Sequence, residues 1–279
     1  MSVKTAQCRT ATEAEVSTML DWAADEGWNP GLEDASAFYA ADPQGFFVAE
    51  ADGRAVAAIS VVNHSDTFAF LGLYLCRPEF RGQGIGFKLW QHALAHAGDR
   101  TVGLDGVPAQ EANYQKSGFI LADRTRRLTG ELAEEALLLP LAAPEDFSVL
   151  AQIDRAGTGV SRPRFLHPWL RNTRTRKTVL LREGGEVIGF ATGRACRTGC
   201  KVGPVFAPDA AMALRLSRQA AAALGATTII IDVPDSRAPF GELLRKAGFT
   251  EGFATARMYR GERPRQGKRL HAVATLELG

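Results

Sequence analysis

The segment Arg81-Gly82-Gln83-Gly84-Ile85-Gly86 carries the most distinctive chemistry in this chain of 279 residues. Three glycines in six positions let a backbone approach a ligand closely and adopt dihedrals that other residues avoid. An apolar run over 68–76, closed by Arg77-Pro78, stands before it, and Phe87-Lys88-Leu89-Trp90-Gln91-His92-Ala93-Leu94 follows. A strand, a glycine turn and a helix start are therefore adjacent. The first turn of a helix leaves N–H groups without intrahelical partners and carries the positive end of the dipole. Such a junction suits a phosphate or pyrophosphate. The spacing Gly82-x-Gly84-x-Gly86 departs from the G-x-G-x-x-G dinucleotide fingerprint, and the lack of a following Gly-Lys-Ser/Thr excludes a P-loop.

The elements that must hold this loop can be read on either side. Gln7 to Thr10 is a short strand candidate. Thr12 and Glu15 have capping-box spacing at the start of a helix over 14–26, whose Val16, Met19, Leu20 and Ala23 share one face. Gly27-Trp28-Asn29-Pro30-Gly31 ends it as a loop. A second short helix covers 34–41, and a hairpin over 46–50 and 54–62 turns at Asp52-Gly53. After the glycine loop and its helix come a strand over 100–104, a helix over 109–117 and a strand starting at Gly118-Phe119.

The second half repeats this plan. Strands are expected over 137–141, 178–182, 187–194, 201–206 and 228–233, and helices over 143–153, 209–224 and 240–247. Thr227-Thr228-Ile229-Ile230-Ile231-Asp232 matches Thr101-Val102-Gly103-Leu104-Asp105. Leu243-Leu244-Arg245-Lys246-Ala247-Gly248-Phe249 matches Asn113-Tyr114-Gln115-Lys116-Ser117-Gly118-Phe119. Two homologous halves, 1–130 and 131–279, are the simplest account.

Arg81, Gly84 and Gly86 between a strand and a helix, with Tyr114-x-x-x-Gly118-Phe119 downstream, give the chain a resemblance to the GNAT superfamily of acyl-CoA N-acyltransferases. It is similar to a bacterial subgroup of tandem GNAT proteins with a degenerate C-terminal domain, on Gly203-Pro204, Ile231-Asp232-Val233-Pro234 and Arg257-Met258-Tyr259-Arg260-Gly261. The resemblance implies an α/β (α+β) fold of two tandem GNAT-like domains, each a mixed, mostly antiparallel twisted sheet flanked by helices. It also implies acetyl-CoA as co-substrate. Gln83 to Phe87 (Gln83, Gly84, Ile85, Gly86, Phe87), with Arg81 and Gly82, would cradle its pyrophosphate, and Leu75 and Cys76 would pair with the pantetheine arm. Tyr114 stands where the family has a general acid facing the departing sulfur.

The family's usual base position falls on Phe70, which leaves the base open among His64, Asp66 and Asp105. Asp34 is either an amine-binding carboxylate or a helix cap. The second half has Gly203-Pro204-Val205-Phe206-Ala207-Pro208-Asp209 in place of the glycine loop and Leu244 in place of Tyr114. An acidic residue at that helix start repels a pyrophosphate, so one cofactor site is expected. The second domain is then a packing partner or a wall of the acceptor pocket. In the latter case Asp232, Arg257 and Tyr259 are its polar groups.

Composition narrows the remaining classes. Hydrophobic residues at 46% and charged residues at 23% describe an ordinary globular chain. A net charge of +2 argues against nucleic acid, and the densest basic stretch, 171–177, reads as a solvated turn. No apolar run is long enough to span a membrane, and the N-terminus has no apolar leader segment. Cys8, Cys76, Cys196 and Cys200 do not form a zinc site, so no metal and a cytoplasmic location are expected. The expected activity is transfer of an acetyl group to a primary amine of a small molecule or peptide by direct attack in a ternary complex. The alternative is a non-catalytic acyl-CoA-binding or regulatory module.

Overall fold

Strand β1 (Gln7–Thr10) pairs antiparallel with β2 (Phe46–Ala51), and β2 shows why a doubly covered sheet forms here. Its Phe46 and Val48 belong to one apolar core and its Phe47 and Ala49 to another. Successive side chains of a strand point to opposite faces, so this strand must be covered on both. The computed structural model describes residues 6–279; the stretch 1–5, read above for a leader, lies outside them.

The first half continues with β3 (Arg54–Asn63), β4 (Phe68–Cys76), β5 (Thr101–Gly106) and β6 (Ile120–Glu131). The second contributes β7 (Arg176–Glu183), β8 (Glu186–Ala195), β9 (Cys200–Phe206), β10 (Thr228–Pro234), β11 (Thr250–Arg260) and the short β12 (Leu270–Ala272). All belong to one sheet in the order β1-β2-β3-β4-β5-β11-β6-β10-β9-β8-β7, with β12 beside β9. Only β4–β5 and β9–β10 are parallel. The first half has thus passed β6 to the second, and the second has passed β11 to the first. β11 lies against β5, with Arg257 opposite Asp105, while β6 lies against β10, with Arg127 opposite Asp232. The two sheets become continuous through the β6–β11 pair.

Helices α1 (Glu13–Asp25), α2 (Asp34–Ala41), α5 (Phe147–Thr158) and α6 (Pro163–Trp169) cover one face and share a core that draws on both halves. On the other face α3 (Ile85–Ala95) and α4 (Glu111–Lys116) cover the first half, and α7 (Ala210–Ala222) and α8 (Ala238–Lys246) cover the second. The capping box at α1 is formed: Thr12 N–H donates to Glu15 Oε2 at 2.8 Å, and Thr12 Oγ1 accepts from Glu15 N at 3.3 Å.

Several local expectations need correction. Residues 137–141 make no strand, only a bridge from Leu141 to Val179. The next helix starts at Phe147 and runs on to Thr158, and α6 was not anticipated. Arg176, placed above in a solvated turn, is 3% exposed at the head of β7. It donates to Asp34 Oδ1 at 3.0 Å, and Arg194 donates to Asp34 Oδ2. Both guanidinium groups lie over the Trp169 ring, at 4.8 and 4.3 Å. A charged side chain that meets its partner 142 residues away gives no local signal of burial.

Candidate active site

β4 and β5 stay paired only over Phe68 to Leu71 and Thr101 to Leu104. Beyond Leu71 the pairing of β4 with β3 slips by a residue, and Leu73 takes a positive φ of 47°. A bulge of this kind bends a strand away from its neighbour. The two parallel strands diverge, and a cleft of about 430 Å3 opens between them.

The glycine loop forms the outer end of the cleft. Gly82 and Gly84 have φ of 75° and 77°, a left-handed backbone open to glycine at little cost. Gly84 is the N-cap of α3 and offers no side chain to the free N–H groups behind it. Lys88 is the first residue to donate within the helix, to Gly84 O, so the N–H groups of Ile85, Gly86 and Phe87 remain for an outside acceptor. A Cβ at Gly86 would lie 2.8 Å from Tyr74 Oη, so a larger residue there would have to displace the Tyr74 hydroxyl. Arg81 braces the loop: its Nε donates to Cys76 O at 2.8 Å and its Nη2 to Glu26 Oε1 at 2.5 Å. Gln83 braces it too, through Nε2 to Glu79 O at 2.9 Å. These groups fit a phosphate-bearing ligand held by main-chain N–H groups rather than by side-chain charge. Leu75, Cys76, Arg81, Gly82, Gly84, Gly86 and Phe87 all border the cleft. Ile85 instead packs into the core under α3.

Tyr114, on α4, stands in the cleft wall. Its ring stacks on Trp90 at 5.6 Å, and Trp90 meets Tyr74 edge-on at 5.4 Å. A Cβ at Gly106 would be 2.2 Å from Tyr114 Cε2, so the glycine at the end of β5 makes room for the phenol. Burial pushes the Tyr114 hydroxyl up to about 12, with Tyr74 adding to it. The group therefore keeps its proton at neutral pH and can donate it.

The inner end belongs largely to the second half. Arg127 reaches it from β6, Phe253 and Thr255 from β11, and Leu276 and Glu277 from the segment after β12. Arg127 lies 4.7 Å over the Phe253 ring and donates to Trp28 O at 3.0 Å, which fixes the Trp28 loop at the mouth. Lys201 holds the same carbonyl at 2.8 Å. Arg127, Tyr74, Phe253, Thr255 and Glu277 went unrecognised in the sequence. The alternating apolar residues Leu270, Ala272, Ala274, Leu276 and Leu278 were the available sign that this segment is buried.

Of the other expected residues the structure brings Asp105 alone to the cleft. Asp105 borders it but is spent on Arg257, which donates through Nε at 2.9 Å and Nη2 at 2.5 Å. Asp232 holds Arg127 through two bonds of 2.8 Å and is 5% exposed. Asp34 is enclosed by Arg176, Arg194 and Gly31 N–H. Arg257 and Tyr259 border a separate small cavity of about 30 Å3 together with His64. Asp66 extends into solvent near Arg100. For Asp34, Asp105 and Asp232 the reason is physical: each buried carboxylate is paired with a guanidinium, and that partner occupies the oxygens a substrate would need.

His64 in particular hydrogen-bonds through Nε2 to Leu278 O at 2.8 Å. Burial, with Arg162 adding to it, lowers its pKa to about 4. The folded ring is neutral, while the unfolded chain takes up a proton below about 6.5. Stability from this group is therefore complete above pH 6.5 and declines as the pH falls towards 4, by about 3 kcal/mol. Urea unfolding of wild type and His64→Phe between pH 7 and 4 should show this slope in the wild type and a shallower one in the variant.

In the second half the matching gap is filled. β9 and β10 pair only over Cys200 to Val202 and Ile229 to Ile231. β12 then lies along β9, and Val273 N–H donates to Asp232 O at 3.1 Å. A Cβ at Gly203 would be 2.1 Å from Val273 O, so the segment passes directly over that strand. Asp209 caps α7 with its own carboxylate, accepting from Met212 N at 2.8 Å. No phosphate cradle forms there.

A parallel pair that splays beside a glycine-capped helix defines the class, and the comparisons agree. The family described as "Acetyltransferase (GNAT) family" matches residues 14–119, and "Acetyltransferase (GNAT) domain" matches residues 150–272. The chain belongs to the GNAT acyltransferase family. It is 34% identical over 274 residues to holothin acyltransferase of Pseudoalteromonas sp. (strain SANK 73390), a match covering 96% of this chain and 93% of that one. Among solved structures, a putative acetyltransferase from Pyrococcus horikoshii shares the fold at a TM-score of 0.79 and 21% identity, over 98% of this chain and 96% of that one. A tandem GNAT protein from the clavulanic acid biosynthesis pathway aligns at a TM-score of 0.62 and 15% identity, over 94% and 100% of the two chains. The protein is an acyltransferase. No helix among the described residues is long and apolar enough to cross a membrane.

Proposed function

We propose that the protein transfers an acetyl group from acetyl-CoA to a primary amine of a small molecule or peptide, by direct attack within a ternary complex. One observation carries this reading: a single cleft runs from the glycine-capped end of α3, past the Tyr114 phenol, to a polar inner end. The N–H groups of Ile85, Gly86 and Phe87 hold the pyrophosphate, and Leu75 and Cys76 lie along the pantetheine arm. Acetyl-CoA supplies the activated thioester. Tyr114 donates its proton to the leaving thiolate.

The acceptor enters the inner end, between the Trp28 loop and the residues given by β6 and β11. The second half is thus a wall of the acceptor pocket as well as a packing partner. A relative named holothin acyltransferase makes holothin, the acceptor in that name, the first compound to test.

A thiol-release screen of purified protein with acetyl-CoA against small-molecule and peptide amines tests the reading. Release with at least one amine is expected. Binding of CoA by calorimetry without release from any amine would instead support a non-catalytic binding module. With the acceptor found, Tyr114→Phe should lower kcat about 10- to 100-fold and leave the CoA Kd within a factor of about two. Unchanged kcat across pH 6–9 would remove Tyr114 as the acid.

A further inference from the structure

Two carboxylates border the cleft, Asp105 and Glu277, and they differ in what their oxygens do. Asp105 is fully buried as a side chain, with Oδ1 taken by Arg257 Nε and Thr255 Oγ1 and Oδ2 by Arg257 Nη2. Protonating it would leave the buried Arg257 guanidinium without its counter-charge, which opposes any role in taking up a proton.

Glu277 has no such partner. Its Oε2 accepts from Thr275 Oγ1, and its Oε1 has no hydrogen-bond partner among the described residues. Oε1 is not one of the sealed polar atoms left without partners, so it keeps some exposure, and the residue borders the cleft although it is only 5% exposed.

Its position is built rather than incidental. The segment after β12 is tied down by Arg194 Nη2 to Ala274 O at 3.0 Å and by His64 Nε2 to Leu278 O at 2.8 Å. Between these anchors Glu277 O passes so close to β4 that a Cβ on Gly72 would be 2.0 Å away. Gly72 is the first residue after β4 leaves β5. The segment therefore delivers Glu277 at the point of divergence.

The surrounding charge is consistent. Arg127 on β6 and Lys201 on β9 lie within electrostatic reach of Glu277, and Asp232 on β10 balances Arg127. Asp105 on β5 is matched by Arg257 on β11. Removing the Glu277 charge leaves the inner end with an excess positive charge, hostile to an ammonium.

We infer that Glu277 is the general base of the transfer, an assignment that rests on the N-acyltransferase reading above. The acceptor nitrogen forms its bond to the thioester carbonyl carbon as one N–H proton passes to the Glu277 carboxylate. The C–S bond then breaks, its electron pair goes to sulfur, and the Tyr114 hydroxyl proton follows. Solvent returns a proton to Tyr114 and takes one from Glu277, so the products are an amide and a free thiol.

The test compares wild type, Glu277→Gln and Glu277→Asp by thiol release with the acceptor from the screen, alongside CoA titration. Glu277→Gln should lose about 100-fold or more in kcat. It should bind CoA as the wild type does and lose the acidic limb of the kcat/KM profile. Glu277→Asp should recover part of the rate. Should Glu277→Gln fail to bind CoA through misfolding, Glu277→Asp carries the test, with a kcat loss of at least about tenfold expected. A kcat within twofold of wild type, whether or not the acceptor KM rises, overturns the assignment while leaving the N-acyltransferase reading intact. Wild type that binds CoA and acylates no amine overturns the reading, and the assignment with it.

Discussion

Asp34→Asn is expected to destabilise the protein by about 3–5 kcal/mol, a large share of the total stability of a typical domain. The carboxylate is 1% exposed and is the counter-charge of two guanidinium groups, Arg176 and Arg194, each 3% exposed as side chains. An amide of the same shape can still accept from Gly31 N–H but cannot neutralise either arginine. Uncompensated charge in a dry site is what makes the loss large. The same residue sets an acid limb. Burial raises its pKa, but Arg194 and Arg176 outweigh burial and hold it below the usual carboxylate range. Its stabilisation is present above the unfolded value, about 3.9, and is lost as the pH falls below that through the lower folded pKa. Urea melts at pH 7 should show the deficit of the variant. Melts from pH 4 downward should show wild type falling towards the variant, and equal stability at pH 7 would contradict the ion triad.

Gly72→Val should reduce turnover by at least about 100-fold, in line with the cost of misplacing a reacting group by an ångström. The first side-chain atom would have to occupy space 2.0 Å from Glu277 O and 3.0 Å from its Cα. β4 cannot yield, because it is buried between two cores, so the segment carrying Glu277 must move. A stability loss of about 1–3 kcal/mol should accompany it, the usual result of overpacking. The discriminating measurement is CoA affinity. The glycine loop lies at the other end of the cleft, so the Kd for CoA should stay within about threefold of wild type while kcat falls. Gly72→Ala should show a smaller change in the same direction. If Gly72→Val lost CoA binding and kcat in proportion, general collapse of the cleft would be the cause.

Much of this architecture is written locally. A run of apolar residues, two glycines that take positive φ and a helix without a side-chain cap lie within about 20 residues, and each depends on its immediate neighbours. The resemblance of Tyr114-x-x-x-Gly118-Phe119 to Leu244-x-x-x-Gly248-Phe249 likewise made the internal repeat readable, because both halves build a helix–glycine–strand step from the same residue types. Those features carry the proposed cradle and phenol.

The partner of each strand was not written in this way. β6 and β11 are both strands that follow a short helix and a Gly-Phe pair, and a backbone ladder accepts any neighbour of suitable register. Only the packed chain could decide that they change places, which brings Arg127, Phe253 and Thr255 to the cleft. The same holds for the acids. Asp34, Asp105, Asp232 and Glu277 are similar as letters. Three meet arginines 105 to 160 positions away and are neutralised, and one is carried past Gly72 to an open cleft. The sequence by itself determined where a phosphate can be held, because that depends on dihedrals and free N–H groups within one turn. The tertiary structure decided which carboxylate remains free to act, because that depends on which distant cation reaches each one first.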